Sequence, residues 1–129
     1  FGPLDLFCLC NLSTKINDLR RKIAEAKKIK GTKYIHILSP CPTGWRFPER
    51  LTPNIGRLAV ETRYFPLYEI RNGREVKITH NPKNLPVEDY LLAQGRFKHL
   101  NEEDIHRIKA EIDRNWLELT RRESESYCS

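Results

Sequence analysis

The sequence has no methionine among its 129 residues, and it begins with Phe1. Because translation starts with methionine, we expect the chain to be a fragment or a processed piece. No apolar run approaches the length of about 18 residues that a membrane-spanning helix needs, so we expect no membrane partner. The apolar start, FGPLDLFCLC, has neither a basic region nor a small-residue cleavage site, so we do not interpret it as a signal peptide.

The cysteines are few and lack a common metal-site spacing. No pair among Cys8, Cys10, Cys41 and Cys128 is spaced C-x-x-C, which argues against a self-contained zinc site. An even count is compatible with disulfides in a secreted protein, but the other features are not those of a disulfide-stapled miniprotein, so we expect a reducing, cytoplasmic compartment. The sequence also lacks H-E-x-x-H, G-x-S-x-G, P-loop and dinucleotide-binding motifs.

Basic residues are in excess, and the net charge is +6. A cluster of this kind is compatible with a solvated helix face, a nucleic-acid site or a site for an acidic protein. Because aromatic residues are not interleaved with it, we expect no nucleic-acid partner. The members of this basic cluster are Lys15, Arg20, Arg21, Lys22, Lys27, Lys28, Lys30 and Lys33.

The first part of the chain has the pattern of a β-α-β unit. Residues 6–12 and 34–38 are apolar enough for buried strands, and residues 17–30 between them have helical spacing. Asn17 or Asp18 is the predicted cap, and Gly31 follows the helix end. A helix between two apolar strands predicts a parallel sheet. The predicted apolar helix face consists of Leu19, Ile23, Ala26 and Ile29.

The middle of the chain predicts a helix followed by a hairpin. TPNIGRLAVET reads as a helix with Thr52 as its cap and Pro53 at the first helical position. Asn72-Gly73, between the apolar runs PLYEI and REVKIT, is the favoured signal of a two-residue type I′ turn. The predicted inner face of the helix consists of Ile55, Leu58, Ala59 and Thr62.

Two further helices are predicted towards the C-terminus. VEDYLLAQGRF favours a short helix ending at Gly95. The last helix has Asn101 as its cap and Asp104 at the capping-box position, and we expect residues 120–129 to form a frayed tail. Its predicted apolar side consists of Ile105, Ile108, Ile112, Trp116 and Leu119.

Cys41 is the residue with the most unusual setting, since Pro40 and Pro42 restrict the backbone on both sides of it. It lies just beyond the carboxyl end of a predicted strand, where ligands of α/β sheets gather. Three interpretations stay open at this point: a buried structural residue, a catalytic thiolate, or a metal or cluster ligand.

The histidines offer no clear base for a catalytic thiolate. His36 is five residues before Cys41, and this odd spacing directs it to the opposite face of a strand. His80, His99 and His106 could serve only through tertiary contacts. We therefore identify no catalytic residue in the sequence.

Three segments together resemble one enzyme family. GTKYIHILSPCPTGWRFPERLTPNIGRLAVET, then FPLYEI and YLLAQGRFKHL, resemble the β subunit of pyruvate:ferredoxin oxidoreductase (pyruvate synthase), a 2-oxoacid:ferredoxin oxidoreductase. The resemblance runs from about Asp18 to about Leu119. The branched-chain 2-ketoacid oxidoreductases of the same superfamily are the close alternative.

The resemblance implies a fold, a reaction and one ligand. The β subunit of that family is a thiamine-diphosphate-binding α/β domain whose enzyme converts pyruvate and coenzyme A to acetyl-CoA and CO2. Electrons leave through [4Fe-4S] clusters to ferredoxin. The implied ligand of one cluster is the cysteine of the S-P-C-P-T-G-W segment, here Cys41. The residues implied to shape its loop are Pro40, Pro42, Thr43, Gly44 and Trp45.

The sequence also departs from this family. The cluster cysteines expected near the N-terminus of the subunit are absent, as is the G-D-G…N segment that binds magnesium and the diphosphate. Residues 1–17 match poorly, so Cys8 and Cys10 receive no role. We therefore expect residues 1–129 to be a single partial domain, the C-terminal third of a β subunit, inactive alone.

Two hypotheses remain beside this assignment. The basic cluster could lie near another subunit of the complex or on the docking surface of acidic ferredoxin, with charge steering the association. From a different class, the chain could be a small, non-catalytic α/β interaction module in which Cys41 is structural.

Overall fold

The chain forms a mixed four-stranded sheet with helices packed on it. The structure, a computed structural model, describes the backbone of residues 5–9 and all of residues 15–128. The strand order is β2-β1-β3-β4. The elements in chain order are β1 (Asp5–Leu9), α1 (Ile16–Lys28), β2 (Lys33–Ile37), α2 (Pro42–Trp45), a 3-10 turn (Glu49–Leu51), α3 (Thr52–Glu61), β3 (Tyr68–Arg71), β4 (Glu75–Ile78), α4 (Val87–Leu92), a second 3-10 turn (Gly95–Phe97) and α5 (Glu102–Cys128).

The β-α-β unit is confirmed. Strands β1 and β2 pair in parallel, with Leu6 opposite Tyr34, and α1 makes the crossover. The predicted cap is wrong: α1 begins at Ile16, so Asn17 and Asp18 lie inside its first turn, and no side chain caps it. Asp18 instead forms ion pairs with Arg21 and Lys22 of α1.

The buried face of α1 differs from the predicted face at one position. Leu19 and Ala26 are buried as expected, whereas Ile23 is exposed and the neighbouring Lys22 is buried. The ammonium of Lys22 lies 2.8 Å from the Asp18 carboxylate one turn earlier. This pairing explains how a lysine is accommodated where an apolar residue is expected.

Strand β2 is exposed, which contradicts the prediction of a buried strand. All five of its residues are exposed, with Tyr34 at 51% and Ile37 at 41% of full exposure. The physical reason is its place at the edge of the sheet, where β1 alone pairs with it among the described residues. Strands of parallel pairs are usually covered on both faces, so β2 is an incompletely covered element.

The hairpin is confirmed and joins the same sheet, but Arg71 pairs with Glu75, so three residues and not the predicted two lie between the strands. Strand β3 pairs antiparallel with both β1 and β4. Asn72 and Gly73 have positive φ angles of 52° and 69°, as the two central residues of a type I′ turn require. The Arg74 N–H donates to the Arg71 carbonyl at 3.0 Å and closes the turn.

The main core lies between α3, α4 and α5. The predicted inner face of α3 is confirmed, but its predicted cap is not: Thr52 is already helical, and its hydroxyl donates to the Glu49 carbonyl at 2.6 Å. Helix α4 ends at Leu92, before Gly95, and a 3-10 turn follows. The largest residues buried in this core are Phe47, Ile55, Leu58, Phe65, Leu67, Tyr90 and Leu91.

Helix α5 begins as predicted but ends later. The Asp104 N–H donates to the Asn101 side chain at 2.8 Å, and the Asn101 N–H donates to the Asp104 carboxylate at 3.2 Å, which is a capping box. Its apolar side packs on the core as expected. No described helix, α5 included, combines the length and apolarity needed to cross a membrane.

The expectation of a frayed tail is wrong, because α5 continues to Cys128. The last turns of α5 cover the edge of β4. The Val76 N–H donates to Ser126 Oγ at 2.9 Å, and the Ile78 N–H donates to Glu123 at 2.7 Å. These bonds satisfy donors that an edge strand otherwise presents to water.

Candidate functional site

Cys41 lies in a tight turn directly after β2. Its backbone is extended, with φ −110° and ψ 106°, as expected beside prolines, and Pro42 begins the single turn of α2. The Cys41 carbonyl accepts the Trp45 N–H at 2.9 Å, and its sulfur accepts the Gly44 N–H at 3.4 Å. Both bonds hold the sulfur at the start of the turn.

The exposure of Cys41 and its hydrogen-bond partners argue against two of the three interpretations given above, the buried structural residue and the catalytic thiolate. The residue is exposed and free, so it is not the small buried residue of the structural interpretation. Among the described residues, no histidine bonds to it. The His36 ring lies against Phe65, with the centroids 5.2 Å apart, and His80 bonds to Glu61. The arrangement therefore offers an accessible sulfur acceptor without a general base.

The described side chains form no metal-binding group around Cys41. Within residues 15–128, no three histidine, cysteine, aspartate or glutamate side chains lie close enough to hold a metal ion. Cys41 can thus supply one thiolate to a site whose other ligands come from elsewhere. A backbone N–H directed at the sulfur fits such a ligand, since hydrogen bonds to sulfur stabilise and tune bound thiolates.

The turn after Cys41 is held by the segment Gln94–Phe97. Arg46 has a left-handed backbone, with φ 59° and ψ 62°, and its carbonyl accepts the Gly95 N–H at 2.8 Å. A Cβ added at Gly95 would lie 2.7 Å from the Arg46 Cβ and 2.9 Å from its carbonyl oxygen. Only glycine allows the two backbones to approach so closely.

Arg96 reinforces this contact through a stacked side chain. Its guanidinium carbon lies 3.8 Å from the centroid of the Trp45 ring and 4.4 Å from that of Phe97. A cation–π contact of this kind contributes about 0.5 to 2 kcal/mol. The guanidinium also donates to Gln94 Oε1 at 2.8 Å and to the Tyr90 hydroxyl at 3.3 Å. Arg96 therefore connects the Cys41 turn to the core.

The residues that anchor Arg96 are themselves buried. Gln94 donates to the Tyr90 carbonyl at 2.7 Å, and Tyr90 packs on the Tyr64 ring with the centroids 4.5 Å apart. Burial, with a smaller contribution from Tyr64, raises the pKa of the Tyr90 hydroxyl. The hydroxyl thus stays protonated at neutral pH and can accept the bond from Arg96.

Comparison with curated proteins finds relatives for most of the chain. It is 54% identical over 97 residues to the pyruvate synthase subunit PorB of Methanocaldococcus jannaschii, covering 74% of this chain and 32% of that protein. It is 48% identical over 105 residues to PorB of Methanosarcina barkeri, covering 76% and 35%. The chain belongs to the PorB and VorB family of oxidoreductase subunits. It spans about a third of the length of these relatives.

A second branch of the family is also similar. The ketoisovalerate oxidoreductase subunit VorB of Pyrococcus abyssi is 44% identical over 104 residues, covering 79% of this chain and 33% of that protein. No protein-family model matches the chain. The PorB and VorB relatives confirm the resemblance read from the Cys41 segment and the Gln94–Phe97 segment.

Of the other three cysteines, only Cys128 has a side chain that the structure describes. Cys8 lies in β1, where only its backbone is described, and Cys10 lies outside the described residues. Cys128 is an exposed free thiol at the end of α5. Cys128 therefore provides a matched control for experiments on Cys41.

Three of the eight residues of the basic cluster form ion pairs with acidic side chains of the same chain. Arg21 bonds to Asp18 and to the buried Glu69, and Lys28 bonds to Glu25 at 2.7 Å. Lys22 is buried and forms an ion pair with Asp18. These pairs reduce the charge that the cluster presents to a partner, and they support the interpretation of a structural helix face.

His80 and Glu61 form a second polar cluster, which the sequence did not indicate. Glu61 is buried at the end of α3; one of its oxygens lies 3.0 Å from His80 Nε2, and the other accepts the Lys83 N–H at 2.8 Å. Lys15 lies 3.4 Å from the other ring nitrogen of His80. The cluster fixes the loop after β4 onto α3. His99 and His106, by contrast, are exposed.

Glu61 makes stability depend on pH. Burial alone raises a carboxyl pKa, but the bonds from Lys83 and His80 outweigh it and hold the pKa of Glu61 below its ordinary value. A lowered folded-state pKa stabilises the fold above the ordinary glutamate pKa, and that stabilisation is lost as pH falls through the folded-state pKa.

We expect Glu61→Gln to lower the free energy of unfolding by about 1 to 3 kcal/mol at pH 7, because charge-assisted bonds are weakened. Urea unfolding, monitored by circular dichroism, measures this free energy of unfolding. The difference from wild type should shrink as the pH is lowered from about 6 to 3. Glu103→Gln, on the exposed first turn of α5, is the control and should change little at either pH. A constant difference across this range would contradict the assignment.

Proposed function

We propose that the chain is the C-terminal third of the β subunit of a pyruvate:ferredoxin oxidoreductase. The observation that carries the proposal is the 54% identity over 97 residues to a pyruvate synthase subunit PorB. The enzyme would oxidise pyruvate in the presence of coenzyme A to acetyl-CoA and CO2. Two electrons would leave for ferredoxin, one at a time.

In this proposal Cys41 is one ligand of a [4Fe-4S] cluster. Its exposed sulfur, held at a turn and accepting the Gly44 N–H at 3.4 Å, fits a thiolate ligand. Such a cluster supplies one-electron transfer. The prolines on both sides of Cys41 restrict the backbone, so the sulfur has few positions to occupy.

Thiamine diphosphate and Mg²⁺ do not fit this chain by itself. The sequence has no G-D-G…N segment for the diphosphate and the metal. We therefore propose that the remaining two thirds of the subunit bind them, and that the chain alone is inactive. The same reasoning assigns the other cluster ligands to that part.

The proposed partners are the other subunits of the complex and ferredoxin, in the cytoplasm. A reducing cytoplasm keeps cysteines such as Cys41 available for ligation. The intrachain pairs of α1 do not favour this helix as the ferredoxin surface, since Arg21, Lys22 and Lys28 already have acidic partners.

Substrate choice tests the proposal. The segment would be completed to the length of its PorB relatives and assembled anaerobically with the partner subunits. Ferredoxin reduction would then be compared with pyruvate and with 2-ketoisovalerate, each with coenzyme A. We expect kcat/KM for pyruvate to be at least about tenfold higher, a difference of about 1.4 kcal/mol in transition-state stabilisation. Omitting coenzyme A is the control.

The alternative is a branched-chain 2-ketoacid oxidoreductase, which the similarity to VorB favours. A preference for 2-ketoisovalerate in the same assay would replace the first proposal by this one. Partner binding without iron or turnover would instead support a non-catalytic interaction module.

A further inference from the structure

We propose that Arg96 is a positioning residue that fixes the Cys41 turn, so that residues 41–46 and Gln94–Phe97 behave as one unit. The inference deepens the proposed function, because the fixed sulfur is the proposed cluster ligand. It assigns Arg96 no contact with substrate or cluster. Its role is exerted through Trp45.

The turn needs support from outside itself. Helix α2 has only four residues, and none of them is buried. A single helical turn is unstable in isolation because forming it fixes several dihedral angles for very few hydrogen bonds. The contacts of Trp45 with neighbouring groups must therefore supply part of the stability.

Arg96 is well suited to supply these contacts. Its planar guanidinium is fixed by bonds to Gln94 and Tyr90, two residues that are almost completely buried. These bonds leave the guanidinium carbon of Arg96 3.8 Å from the centroid of the Trp45 ring. Lysine cannot reproduce both the stacking and the forked bonding, so the role is specific to arginine.

The path from Arg96 to the sulfur is short. The Trp45 N–H bonds to the Cys41 carbonyl, and the preceding N–H, that of Gly44, bonds to the Cys41 sulfur. Movement of the Trp45 ring would disturb both bonds. The bond from Gly95 to the Arg46 carbonyl would remain, so the loss of Arg96 should loosen the turn without unfolding the chain.

Amide hydrogen exchange of the 129-residue chain tests the first half of the proposal. In Arg96→Ala we expect exchange at Gly44 and Trp45 to become about tenfold faster, given the usual strength of a cation–π contact. Arg96→Lys should give an intermediate rate. Arg50→Ala, an exposed arginine on the adjacent 3-10 turn, is the matched control and should leave both rates unchanged. Unchanged rates in Arg96→Ala, with the fold intact by circular dichroism, would overturn the proposal.

The completed and assembled subunit tests the second half. Arg96→Ala should keep its iron but broaden or shift the EPR signal of the reduced cluster, because the cysteine ligand is less well fixed. An EPR signal identical to that of wild type would overturn the positioning role. Loss of iron in Cys41→Ala separates the two proposals: if that variant keeps all its iron, the ligand assignment fails, while the exchange result still reports on the Arg96 contact.

Discussion

Replacing Cys41 by alanine in the completed, anaerobically assembled subunit is expected to remove about one [4Fe-4S] cluster and to abolish ferredoxin reduction. The physical reason is that a cubane cluster needs a ligand on each iron. Among the described side chains, no group of three or more cysteine, histidine or carboxylate residues could replace the lost thiolate. Iron content per complex and the EPR signal of the reduced enzyme measure the effect.

The control for this experiment is Cys128→Ala. Both cysteines are exposed and free, but Cys128 lies at the end of α5, in a segment that covers β4. The Cys128→Ala variant should retain full iron and activity. If Cys41→Ala also retains both, Cys41 is not a ligand, and the electron-transfer role proposed for the segment fails.

Tyr90→Ala is expected to lower the free energy of unfolding by about 3 to 5 kcal/mol, as large aromatic truncations in cores do. Tyr90 is fully buried, packs on Tyr64 and bonds to Arg96. Because small domains have a total stability of only about 5 to 15 kcal/mol, this loss would be a large fraction of it. Urea titration of the 129-residue chain, followed by circular dichroism, gives the value.

Two variants separate packing from hydrogen bonding at this position. Tyr90→Phe removes only the hydroxyl that accepts from Arg96, and it should cost about 1 kcal/mol. Tyr127→Ala removes a tyrosine that is 73% exposed and should change stability little. If Tyr90→Ala and Tyr127→Ala have similar effects, Tyr90 does not have the core role described above.

Much of the fold could be predicted from local patterns. Helical spacing located α1, α3 and α5, and the capping box at Asn101 formed because both of its side chains act within one turn. The Asn72-Gly73 turn is likewise local, since the positive φ angles depend on those two residues.

One group of errors has a local cause, and another depends on residues that are distant in the sequence. Asp18 pairs with Lys22 instead of capping α1, and Lys22 replaces Ile23 on the buried face. Residues after 120 stay helical because β4 offers donors to Ser126 and Glu123. Spacing along the chain contains no information about the pairing of β4 with α5. Asp18 and Lys22, by contrast, have the i, i+4 spacing at which helical side chains pair.

The candidate site was predictable only in part. The prolines around Cys41 indicated a fixed sulfur, and the family resemblance indicated its role. The contact between Arg96 and Trp45 joins segments about fifty residues apart in the sequence, and no local pattern predicts such a pairing. The motif containing Arg96 belongs to the family resemblance, but only the folded structure shows that it lies beside the Cys41 turn.

The two edges of the sheet differ in whether they can pair with a further strand. At the β4 edge, side chains of α5 already occupy the outward N–H groups of Val76 and Ile78. At the other edge, β2 exposes apolar residues on both faces. Within the part of the sheet that the structure describes, the edge open to an added strand is therefore that of β2. In solution, two copies of the chain that meet by their β2 edges would form a closed pair and not a fibre, because each has a single open side.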